Sequence, residues 1–107
     1  MTMQIFYPTR ILSSASAGDL MTWIHDNLEQ GHNRLLINLQ NVLFMDSTGL
    51  ATLVAALKTV RQTGGNLALC SLNGQARMLF EMAGMEEMFE VYNTATEFEK
   101  GIVCTTL

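Results

Sequence analysis

The chain has 107 residues, of which 49% are apolar and 15% charged, and its formal net charge is −4. That length fits one compact domain with a real core, and the composition excludes a disordered chain. Its six basic residues, Arg10, Arg34, Lys58, Arg61, Arg77 and Lys100, are scattered, whereas a surface that displaces counterions from DNA or RNA gathers them into a stripe.

In chain order, Gln4 to Tyr7 reads as a short strand ended by Pro8, with Ile11 and Leu12 continuing or repacking that edge. Ser16 followed by Asp19 resembles a helix-starting cap, because a serine oxygen accepts from free first-turn amides and an acid suits the positive helix end. Leu20, Trp23, Ile24 and Leu28 then recur at helical spacing up to a stop at Gly31. Trp23 is read as an anchor of this helix.

Leu35, Leu36, Ile37 and Leu39 form a nearly continuous apolar run, the pattern of a strand buried on both faces of a parallel sheet. After Val42, Leu43 and Phe44 comes the unit Met45-Asp46-Ser47-Thr48-Gly49-Leu50. Leu50, Leu53, Val54 and Leu57 mark a second amphipathic helix, stopped by Gly64-Gly65. Asn66 to Leu72 reads as another buried strand, and a third helix is expected from about Gln75 to Ala83, ending at Gly84. Met78 and Met82 are read as packing residues because of their helical spacing, the alternative being an exposed methionine face that adapts to a partner. A last strand is expected at Phe89 to Tyr92, then a helix opened by the capping-box spacing Thr94-Ala95-Thr96-Glu97, with Phe98 and Ile102 facing inward. Strands alternating with helices predict a single α/β domain over residues 1–107 with a mainly parallel sheet.

Several chemistries lack support. Cys70 lies in an apolar run and Cys104 near the C-terminus. A single candidate pair without a secretion signal predicts reduced thiols and a cytoplasmic setting. His25 and His32 have no further ligands at close spacing, so no metal and no cofactor are expected. No segment approaches the roughly 20 apolar residues that cross a bilayer. No Ser-His-Asp arrangement can be assembled, and there is no Lys-containing phosphate loop, so an enzyme is not expected.

Residues 45–50 taken alone are a helix cap, since Asp, Ser and Thr all accept from free amides. Their surroundings add more. Phe44-Met45-Asp46-Ser47-Thr48-Gly49-Leu50 resembles the signature of anti-sigma factor antagonists of the STAS family, in which Asp-Ser-Ser/Thr-Gly-Leu follows a short strand. Leu35 to Leu39, Gly64-Gly65 followed by Asn66 to Cys70, and Arg77 to Met85 are similar to that family's neighbouring elements, in the same order, over roughly residues 10–103. The resemblance implies a sheet of four or five strands, parallel or mixed, flanked by about four helices.

The resemblance also implies partner switching. An unphosphorylated antagonist binds an anti-sigma factor that is also a serine kinase and so frees a sigma factor. Phosphorylation of the serine after the motif's Asp, here Ser47, reverses the binding, and a metal-dependent serine phosphatase removes the phosphate. Partner contacts are expected at Ser13, Met45, Asp46, Ser47, Thr48, Gly49 and Leu50. The family usually carries Gly-x-Leu-Asp before its first helix, whereas this chain has Arg10-Ile11-Leu12-Ser13, without the Gly or the Asp. Drift at an edge and an altered partner choice are both readings of that change. The alternative function is a STAS module of a larger signalling or lipid-transport assembly in which Ser47 is never modified.

Overall fold

The computed structural model describes residues 4–100. Cys104 and Ile102, on which two expectations rest, lie outside the described residues. Among the described residues, six strands and four helices follow one another: β1 (Gln4–Phe6), β2 (Ile11–Leu12), α1 (Ser14–Glu29), β3 (Arg34–Asn38), β4 (Phe44–Met45), α2 (Ser47–Gln62), β5 (Asn66–Cys70), α3 (Gly74–Met82), β6 (Glu90–Tyr92) and α4 (Ala95–Lys100), with a 3₁₀ turn at Met85–Glu87 before β6. The main sheet has the order β1-β3-β5-β6 with every neighbouring pair parallel, and β2 and β4 form a separate two-stranded parallel sheet.

The apolar runs of β3 and β5 explain the layers. Side chains alternate along a strand, so Leu35, Ile37, Leu67 and Leu69 point to one face and join Leu20 and Ile24 of α1, Leu53 and Leu57 of α2, and Ala76 and Phe80 of α3. Leu36, Ala68 and Cys70 point to the other face, where they meet Tyr92 and Phe98. There the Phe98 and Tyr92 rings stack edge to face at 5.3 Å. Arg34 donates to the Phe98 carbonyl at 2.8 Å and places its guanidinium over the Phe98 ring, which ties the short α4 to the sheet. Each such fully buried Leu or Phe contributes about 1.5–3 kcal/mol relative to exposure.

Several expectations need correction. The cap of α1 is Ser13, not Ser16: Ser13 is extended, its Oγ accepts from Ala15 N at 3.4 Å, and Ser16 Oγ accepts from Ser13 N at 3.0 Å. Ser16 is thus the third-position partner of a capping box, and Asp19 lies beyond the first turn. Ile11 and Leu12 do not extend β1; they pair with β4. The strand expected over Asn66–Leu72 ends at Cys70, because Ser71 turns left-handed with φ +61°. Met78 and Met82 do not pack in the core: they are 63% and 82% exposed. In a nine-residue helix with Ala76 and Phe80 buried, the inward stripe is already filled. Trp23 is half-buried against Phe6, with ring centroids 5.2 Å apart, as a helix anchor would be. At α4, Thr94 Oγ1 accepts from Glu97 N at 3.2 Å, while the Glu97 carboxylate accepts from Asn93 N at 3.0 Å, one residue before the position a capping box uses.

Candidate functional site

The short strands β2 and β4 deliver the chain to the start of α2. Ile11 pairs with Phe44 and Leu12 with Met45. Asp46 N then donates to the Leu12 carbonyl at 3.3 Å, extending that pairing by one residue. Asp46 is extended, with φ −107° and ψ −177°, and is the N-cap of α2. Its Oδ1 accepts from Gly49 N at 2.8 Å, and its carbonyl accepts from Leu50 N at 3.0 Å. One carboxylate oxygen therefore satisfies a first-turn amide, while its negative charge lies at the positive end of a 16-residue helix.

Gly49 has a steric role. A Cβ at this position would overlap the backbone carbonyl of Leu12. Only a residue without a side chain lets the first turn of α2 rest against β2. Gly49 and Met45 are buried, so both build the site from beneath, whereas Asp46 and Leu50 are half-buried and Ser47 and Thr48 are exposed. Ser47 occupies the first helical position, and its hydroxyl has no hydrogen-bond partner among the described residues. Thr48 is also exposed, so exposure alone does not separate the two hydroxyls; the Thr48 carbonyl accepts from Thr52 Oγ1 at 2.9 Å.

Ser13 stands at the start of α1, directly after β2 and hence beside the same surface. At the place where the resemblance leads one to expect an aspartate, a neutral serine still caps the helix. The helix cap is kept, and position 13 carries no carboxylate. Ile11 and Phe44 on the small sheet, and Leu43 just before it, add exposed apolar surface, at 53%, 46% and 62% exposure.

One site residue was not foreseen. Gln75, in the first turn of α3, accepts from Met45 N through Oε1 at 2.8 Å and donates to the Met45 carbonyl through Nε2 at 2.9 Å. An amide 30 positions away leaves no periodic signal in a sequence, so pattern reading has no means of finding it. No group of three or more His, Cys, Asp or Glu side chains able to hold a metal is found among the described residues.

An exposed serine hydroxyl, an aspartate cap and a glycine contact stand together in one short segment. The STAS domain model matches residues 3–98. The chain belongs to the STAS domain family. Among its STAS relatives, an anti-sigma F factor antagonist of Paenibacillus polymyxa is 33% identical over 61% of this chain and 59% of its own length. An anti-sigma-B factor antagonist of Staphylococcus aureus is 35% identical over 66% of this chain and 65% of its own length. The chain thus spans less than two thirds of either relative. A solved structure of a candidate anti-sigma factor antagonist from Thermotoga maritima superposes with a TM-score of 0.82 at 26% identity, covering 92% of this chain and 85% of that one. The fold is therefore shared over 92% of this chain.

Proposed function

We propose that this STAS domain is an anti-sigma factor antagonist whose binding to an anti-sigma factor serine kinase is switched off by phosphorylation of Ser47, with a serine phosphatase restoring the active form. The observation that carries the reading is the exposed Ser47 hydroxyl at the first position of α2, directly after the Asp46 cap. The names of the relatives support the antagonist part of this reading.

The chemistry is local. A kinase can reach an exposed hydroxyl that no neighbour holds. The phosphate would carry about −1.5 to −2 charges. The free amides and dipole of α2 tolerate an anion there, so the domain need not unfold or rearrange. A partner surface fitted to a neutral hydroxyl beside the Asp46 carboxylate does not tolerate it, because repulsion and desolvation both oppose the contact. Ser47 is favoured over Thr48 because its unbranched side chain rotates freely, whereas the branched Cβ of Thr48 restricts χ1 within the helix.

Two measurements test this. Treatment with the anti-sigma serine kinase of the same organism and ATP, followed by fragment-ion mass spectrometry, is expected to place phosphate on Ser47. Calorimetry is expected to show tight binding of wild type and Ser47→Ala and at least tenfold weaker binding of Ser47→Asp. Phosphate mainly on Thr48 overturns the site assignment. No phosphate on either residue with an active kinase, or equal affinity of the three forms, overturns the switch and favours an unmodified STAS binding module.

A further inference from the structure

The β4 strand is two residues long and is paired on one side with β2. On its other side the place of a neighbouring strand is taken by a single side chain. The Gln75 amide presents a carbonyl and an N–H in the geometry of a peptide group, and it bonds both the N–H and the C=O of Met45, at 2.8 and 2.9 Å. Met45 is fully buried, so its backbone has no water to turn to. The next residue is the Asp46 cap, and the one after it is Ser47. The entry to α2 is therefore held by β2, by its own cap, and by α3.

From this geometry we infer that Gln75 is a positioning residue for Ser47: its amide fixes the height and direction at which β4 delivers the serine hydroxyl, and it makes that presentation depend on the seat of α3. The inference rests on the proposed phosphorylation of Ser47. Gln75 itself does not touch the Ser47 hydroxyl and takes no part in bond making. It acts through the Met45 backbone. The same face of α3 carries Met78 and Met82, three and seven residues further on, both exposed. A contact that shifts this helix would reach the Met45 backbone through that pair of hydrogen bonds.

The test uses Gln75→Met, which keeps the length and removes both hydrogen bonds, and Gln75→Glu, which keeps the acceptor for Met45 N–H and loses the donor at neutral pH. Amide exchange of Met45, followed by NMR on the protein alone, is expected to accelerate about tenfold in Gln75→Met and less in Gln75→Glu, while core amides of β3 and β5 keep their relative protection. In phosphorylation by the serine kinase, Gln75→Met is expected to lower kcat at least fivefold with KM within twofold, and Gln75→Glu to recover part of the loss. Unchanged Met45 exchange in Gln75→Met overturns the clamp whatever the kinase does. Faster Met45 exchange with unchanged kcat and KM overturns the positioning role. A wild-type protein that the active kinase does not modify overturns the phosphorylation reading first, a result distinguishable from both because it appears without any substitution.

Discussion

The four-stranded sheet and the two-stranded sheet solve different problems with different means. In β3 and β5, five-residue strands pair over their full length, and residues 35–37 and 67–70 supply hydrophobes buried from both faces. In β2 and β4, two residues pair with two, and what holds the segment is polar and specific: the Asp46 cap, the Gln75 amide, and a glycine where no side chain fits. The large sheet carries stability through area removed from water, which tolerates exchange of one apolar residue for another of similar volume. The small sheet buries two side chains, Leu12 and Met45. It carries geometry, and geometry at a helix entrance depends on individual atoms.

This contrast predicts a graded series. The largest loss of stability belongs to the main sheet: Leu36→Ala should lower the unfolding free energy by about 3 kcal/mol, since Leu36 is fully buried beneath α4. Urea unfolding with an unchanged m-value is the measurement, and a loss under 1 kcal/mol would break the assignment of stability to this sheet. Gly49→Ala should follow at about 2 kcal/mol, through a clash with the Leu12 backbone and not through lost area. A neutral result there would show that α2 can move away from β2 at no cost. Asp46→Ala should lower stability by about 1 kcal/mol as the cap of α2 is lost, measured in the same titration. It should also speed exchange of the Gly49 amide, which no main-sheet substitution should do selectively.

The smallest effect sharpens the picture of the second face. Burial pushes the Cys70 thiol above its ordinary value, offset in part by the hydrogen bond from Ser71. The folded state therefore holds the thiol proton more tightly than the unfolded chain does. The resulting stability is fully present below the unfolded thiol value of about 8.5 and is lost as pH rises through the folded value. Stability should decline modestly above pH 8.5, and Cys70→Ser should reduce that decline even though the substitution itself destabilises. Cys70 should also resist a thiol reagent under native conditions, and rapid native labelling would contradict its place in β5.

Composition and periodicity determined much of this protein without coordinates. The runs Leu35–Leu39 and Asn66–Cys70 announce buried parallel strands because both faces are apolar, and helical spacing of Leu53, Val54 and Leu57 announces α2. The segment Asp46 to Leu50 is legible because capping and the glycine stand within five consecutive residues, so the chemistry is local. Local chemistry also misleads where two serines compete. Ser13 and Ser16 both suit a cap, and only the extended backbone at Ser13 decides between them. Helical spacing likewise placed Met78 and Met82 in a stripe but could not say which stripe faces the sheet, and Ala76 and Phe80 occupy the inward one. The pairing of Ile11–Leu12 with β4, the fit of Gly49 against Leu12, and the Gln75 amide on Met45 were decided by tertiary structure alone. Each joins residues distant in sequence through one or two atoms, and contacts of that kind leave no period for a sequence to display.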